Sequence, residues 1–250
     1  MQHGNIVRPS SVGWPHRIAA VSAQVQERRA DALTNDVGTA ATVEEEFDRQ
    51  LRNLVEKNYP MLAGMSTKGF TEHIEPLRAL LPKVTASNEE GIAFVIVVEN
   101  ELVPTVPAVE RFLVRGKAGW TDMAEEIGSY KPIAGAEVPG ASVYLLVDID
   151  TGSGTLNVRP NDALPMITGA GRTPLTTDEG VALVTHFPEI LKVRNAFQAL
   201  ASRTDNKRIP SFWISKGSPR LGWCWAGNPH TWLGAGSAAA RFGAPRKSRV

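Results

Sequence analysis

Ile92-Ala93-Phe94-Val95-Ile96-Val97-Val98 is a run of seven residues with no polar position. It is too short for a typical helix and rich in β-branched side chains, so it reads as a strand. Because it does not alternate, both of its faces should be covered, which places it centrally in a sheet. Val143-Tyr144-Leu145-Leu146-Val147 reads the same way and ends in Asp148. Between the two lies a Gly- and Pro-rich stretch with a short helix near 106–112.

Upstream of this pair the period changes to that of helices. Thr42 and Glu45 have capping-box spacing, and Phe47, Leu51, Leu54 and Val55 then recur at helical intervals until Tyr59-Pro60. A second helical stretch covers about 67–81, with a break or restart at Pro76. Together they predict a helical hairpin over 42–84, packed on a sheet-containing core over 91–240. Downstream, Thr176-Thr177-Asp178-Glu179 is another capping box, opening a helix that stops before Pro188. Stretches 196–202, 211–215 and 221–226 read as strands of a meander. The fold class is therefore α+β, a mixed or mostly antiparallel sheet with helices on its faces. Residues 1–41 read as a flexible basic extension carrying Arg8, Arg17, Arg28 and Arg29, and 241–250 as a basic tail.

The chain has 250 residues, 42% hydrophobic, which suffices for a packed core and excludes disorder throughout. No apolar run approaches the length of a spanning helix, so a membrane is not expected as a partner. The start lacks the charged-then-apolar layout of a secretory signal, and the single cysteine, Cys224, fits a reducing compartment; a cytoplasmic location follows as an expectation.

Several wordings occur in fixed order in the C-terminal half: Asn157-Val158-Arg159-Pro160, Gly171-Arg172-Thr173-Pro174-Leu175-Thr176 and Ala182-Leu183-Val184-Thr185-His186-Phe187-Pro188. Trp213-Ile214-Ser215 follows, then a block from Leu221-Gly222-Trp223-Cys224-Trp225 to Asn228-Pro229-His230-Thr231-Trp232-Leu233-Gly234. This resembles an actinobacterial domain-of-unknown-function family, number 5701, from about residue 47 to 242. The resemblance implies one compact intracellular domain and carries no reaction and no catalytic residue.

Short motifs with catalytic associations all have simpler accounts. Asp150-Thr151-Gly152-Ser153 mimics an aspartic-protease loop, but that chemistry needs two such loops, and a Gly-rich turn explains the wording. Asp148 and Asp150 would share a face of a strand, which fits a weak magnesium site, yet the remaining donors of a calcium loop are missing. Cys224 with His186 or His230 could form a thiolate–imidazole pair, whereas a small buried thiol beside aromatic rings is the simpler reading. Gly234-Ala235-Gly236 copies a dinucleotide fingerprint in spacing alone, without the βαβ unit that follows one. No metal or cofactor is expected.

Charge is the feature that rises above these. The formal net charge is +1, yet residues 1–191 hold 16 Lys+Arg against 25 Asp+Glu, a net of −9, and residues 192–250 hold 11 basic residues against Asp205, a net of +10. Trp213, Trp223, Trp225 and Trp232 lie in that basic stretch. Cations neutralise phosphates and flat rings stack on unpaired bases, so this combination points to RNA. The leading expectation is a non-enzymatic, ribosome-associated RNA-binding protein that modulates or inhibits translation. Its contacts would be Arg203, Lys207, Arg208, Lys216, Arg220, Arg241, Arg246, Lys247 and Arg249, with His230 and Trp232 as stacking groups. The reading requires these residues to share a surface instead of pairing with the acidic half. An alternative is a small-ligand-binding protein or enzyme with a polar loop pocket around Asn157, Arg159, Arg172, His186, Asn228 and His230. A second alternative is a subunit of a protein assembly.

Overall fold

The structure, a computed structural model, describes residues 36–84, 92–192 and 196–243. Helix α1 (Asp36–Glu56) is followed by the short turn of helix α2 (Tyr59–Leu62), by α3 (Thr67–Ile74) and by a 3-10 stretch, Glu75–Lys83, with Pro76 in its first turn. Strand β1 (Ile92–Val98) leads to α4 (Thr105–Glu110) and to the short strands β2 (Leu113–Val114), β3 (Lys117–Ala118), β4 (Trp120–Thr121) and β5 (Lys131–Pro132). Then come β6 (Val143–Asp150), α5 (Pro160–Gly169), β7 (Thr173–Pro174) and α6 (Thr177–His186). The remainder is β8 (Ala196–Gln198), β9 (Ser202–Arg203), β10 (Arg208–Ser215), β11 (Ser218–Trp225), β12 (Leu233–Ala235) and β13 (Ser237–Gly243). By contacts the chain divides into Met1–Thr42 and Val43–Val250; helix α1 begins in the former, and every site described below lies in the latter.

The fold is α+β with mostly antiparallel pairing, as the patterns predict. One sheet has the order β1-β6-β13-β7 and a second the order β12-β8-β10-β11-β4. Helix α6 lies between them: it packs on β1, and the missing side chain of Gly180 lets the Phe212 ring of β10 come so close that an added Cβ would sit 2.3 Å from it.

β1 lies at the edge of its sheet, not in the centre. Its free edge is nevertheless closed by side chains. Gln50 of α1 donates from Nε2 to Phe94 O at 3.0 Å and accepts from Ile96 N at 2.7 Å, as a neighbouring strand would. His186 Nε2 donates to Ile96 O at 3.2 Å, and its Nδ1 accepts from Asn53 Nδ2 at the same distance. Buried backbone groups left without partners are costly, so an apolar strand survives at an edge because polar side chains complete it.

Of three other expectations, two change and one holds. The α1 backbone is helical from Asp36, so Thr42 and Glu45 lie inside the helix and mark no start. The second capping box forms as spaced: Thr176 Oγ1 accepts from Glu179 N, and Glu179 Oε2 accepts from Thr176 N at 2.7 Å. β12 and β13 were not legible, because Gly234, Gly236 and Ala238 to Ala240 are poor strand formers. β13 pairs with β6 along its length and with β7 at Ser237 and Ala238, and it runs to Gly243, inside the segment read as a tail. The Gly-rich motifs also resolve. Gly152, at φ +90, packs its backbone so tightly against Ala235 that a Cβ would approach it to 2.4 Å, and Gly234 faces Gly152 O in the same way. The two wordings that mimic catalytic loops are one close crossing of chains.

Candidate functional site

The β10–β11 hairpin closes through Lys216 and Gly217, at φ 52 and 78, the positive-φ pair that a two-residue turn between twisted strands requires. Its register pairs Arg208 with Trp225 and Trp213 with Arg220. Because side chains alternate along a strand, these two pairs project from opposite faces. On one face the Arg208 guanidinium stacks 4.1 Å from the Trp223 ring centre and 5.8 Å from that of Trp225, which is 44% exposed. On the other, Arg220 is held between Trp120 and Trp213, at 4.5 and 4.6 Å.

The second face continues. The Trp213 ring meets Trp232 edge-on at 6.4 Å, and Trp232 meets His230 at 5.5 Å. His230, Trp232, Trp213, Arg220 and Trp120 thus form an unbroken ladder of flat groups, each half-buried. At the hairpin end of the ladder, exposed Lys216 lies beside exposed Lys117, whose Nζ donates to Lys216 O at 3.5 Å. Glycine at 222 makes the ladder possible, since a Cβ there would meet the Trp213 ring at 2.4 Å. Sequence reasoning missed Trp120 and Lys117, which sit in the acidic part of the chain and reach the hairpin through parallel pairing of β4 with β11. The signal available was a tryptophan two residues before Asp122, the carboxylate that pairs with Arg220.

The remaining expected contacts are dispersed. Arg208 donates to both Glu126 oxygens at 3.0 Å. Arg203 is half-buried and donates to Leu200 O, and Lys207 is exposed at the end of the hairpin remote from Lys216. Arg241 is a correction: its side chain is 5% exposed and its guanidinium clamps Glu179, also reaching Thr173 Oγ1 and the carbonyls of Ala136 and Pro174. It lies in β13, paired with Leu146 of β6, and is inaccessible to a phosphate. Arg246, Lys247 and Arg249 lie outside the described residues.

The six residues of the alternative pocket do not converge. Asn157 and His230 meet through a backbone hydrogen bond, Asn157 N to His230 O at 2.8 Å, and Asn228 is exposed in the same loop region. Arg159 instead pairs with Asp162 on the surface. Arg172 donates to Asp148 and Ser237 inside the first sheet. His186 is buried in the core, where burial first and the charge of Arg49 second depress its pKa to about 3, so it is a neutral structural imidazole. Burial likewise raises the Cys224 thiol above its ordinary value, against a thiolate. The Asp148–Asp150 pair is occupied too: Asp148 receives Arg172, and Asp150 Oδ1 accepts from Gly152 N in a tight turn.

The sequence profile of a family of unknown function, DUF5701, matches residues 53–244. The chain belongs to this family. The match includes both sheets and the ladder from Trp120 to Trp232, but stops short of the segment before Asn53. No curated protein and no solved structure matches the chain. No described helix is long and apolar enough to cross a membrane.

Proposed function

We propose that this protein binds RNA without catalysing a reaction, and that its RNA is ribosomal, so that binding modulates or inhibits translation. The observation that carries the reading is the ladder His230–Trp232–Trp213–Arg220–Trp120, half-open to solvent and ending at two exposed lysines, Lys216 and Lys117. Flat groups in series offer stacking to unpaired bases, and flanking cations offer phosphate contacts. Arg208, stacked on Trp223 beside exposed Trp225 and Lys207, provides a smaller contact of the same kind on the opposite face. Arg208, Arg220 and Arg241 each pair with a carboxylate of the acidic half, so the shared basic surface that the charge count called for does not form among the described residues, and the reading rests on the rings and the two lysines. Ribosomal RNA, dense in phosphate and in splayed bases, supplies both features.

The test is co-sedimentation with ribosomes and a shift of structured RNA at about 50 mM salt, with affinity falling steeply towards about 200 mM. Trp232→Ala and Lys216→Glu should each weaken binding while leaving the thermal transition in place. Absence from ribosomal fractions at low salt, with no RNA shift, overturns the proposal.

A further inference from the structure

A cavity of about 220 Å³ lies where the loop after β1 meets the start of α6. Glu99, Asp178 and Thr177 line its polar side; Ile127, Tyr130, Pro132 and Val138 form an apolar wall; exposed Asn100, Glu101 and Lys131 border it. Nothing in the sequence links Glu99 to Asp178, and the sequence expectations left the cavity out.

Its chemistry is unusual in two respects. Glu99 and Asp178 both line the cavity, so two carboxyl groups face one small space. Burial first, and then the charge of Asp178, push Glu99 up to about 8. Asp178 is also raised by burial, although it accepts from Asn100 N at 3.2 Å and from Asn100 Nδ2 at 2.8 Å. Separately, Thr177 is 6% exposed and its Oγ1 has no hydrogen-bond partner, although its backbone N donates to Ser202 Oγ. Buried hydroxyls are normally satisfied, so an orphan beside two carboxyl groups in one cavity marks a place for a donor that is not part of the chain.

The other charges facing the pair are already committed or peripheral. Glu179 on α6 is neutralised by Arg241 of β13 and accepts from Tyr144 of β6 at 3.0 Å. Tyr144 stays protonated, its pKa raised well above the ordinary value by burial first and then by Glu179. Glu101, Tyr130 and Lys131 lie around the cavity. The helix start itself is closed by the Thr176–Glu179 capping box, which leaves no free anion site there.

We infer that this cavity binds a small primary amine, whose ammonium group donates to Glu99, Asp178 and the Thr177 hydroxyl while its carbon body lies against Ile127, Tyr130, Pro132 and Val138. An ammonium group has three donors, and these are three acceptors. An anion is repelled by the shared charge. A neutral alcohol supplies one donor and leaves the other acceptors unmet. Binding displaces the Glu99 proton to solvent, so the net reaction exchanges one proton for one ammonium ion.

The experiment is calorimetry on the full chain with ethylamine, butylamine, benzylamine and 1,4-diaminobutane, alongside benzyl alcohol and benzoate. At least one amine should bind saturably, and neither control should. Affinity should tighten up to about tenfold per pH unit from pH 6 to pH 8, because the proton must leave, and then level off. Glu99→Gln keeps the shape but removes the carboxylate that binding uncovers; it should weaken amine binding at pH 8 at least about tenfold, abolish the rise between pH 6 and pH 8, and keep both the thermal transition and RNA binding. Thr177→Val should weaken it less. Saturable binding by none of the amines at pH 8 overturns the inference, as does equal binding to Glu99→Gln or equal binding of benzoate.

Discussion

Arg241 and Arg220 come from the same basic stretch, and each pairs with a carboxylate from the acidic part of the chain, yet they do different work. Arg241 lies inside the first sheet with Glu179, and both side chains are almost wholly shielded from water. Arg220 lies on the open face of the second sheet, and its partner Asp122 is 43% exposed. The first is a structural clamp whose charges cannot meet a ligand. The second is a rung between two indoles that remains within reach of solvent. A net charge of +10 in the last 59 residues is therefore no map of a basic surface, since part of it is spent inside the fold.

The contrast can be broken most directly at Arg241. Arg241→Met leaves Glu179 charged and buried without its partner, and should cost about 3–5 kcal/mol in urea denaturation. Adding Glu179→Gln should recover part of that loss. A loss below about 1 kcal/mol from the single variant would remove the clamp from the account.

Gln50→Leu tests whether the first sheet depends on its polar closure. Phe94 O and Ile96 N both lose their partner, which should cost about 2–3 kcal/mol by the same measurement.

Stability against pH sharpens the comparison within the first sheet. His186 has a folded pKa of about 3 against an unfolded value near 6.5, so protons favour the unfolded chain between them. Stability should fall as pH drops below about 6.5, by up to about 1.4 kcal/mol per unit. Glu99 works in the opposite sense. Its folded value of about 8 exceeds the ordinary carboxyl range, so its contribution is complete below about pH 4 and lost as pH rises through 8. Glu99→Gln should flatten the profile between about pH 5 and pH 8, while the acid limb owed to His186 remains.

The smallest stability effect should come from Arg220→Ala, about 1 kcal/mol or less, because its ion pair is partly open to solvent. The same variant should lower RNA affinity by about tenfold as the stack between Trp120 and Trp213 collapses. An Arg241 variant that still folds should leave RNA affinity unchanged. If instead both variants alter binding equally, the division between clamp and rung fails.

What was legible in the sequence is what short range decides. The seven-residue apolar run is a strand, and Thr176 and Glu179, three residues apart, cap a helix by themselves. Side-chain periodicity and capping are written into neighbouring residues, so a linear reading recovers them.

Pairings across the chain were left to the tertiary structure. Strand β13 forms from a segment of low strand propensity because β6, and β7 at its start, supply backbone partners, a property of the neighbours and not of the segment. Trp120 joins Trp213 across Arg220 through a parallel strand contact. Glu99 and Asp178 come to line one cavity because β1 and α6 pack together, and burial first and proximity second raise both carboxyl groups above their ordinary range. The sequence by itself determined the class of fold and the stock of cations and rings. Packing decided which of those charges were neutralised and which were left to face a ligand, because burial and proximity, not residue type, set the free energy of a charge.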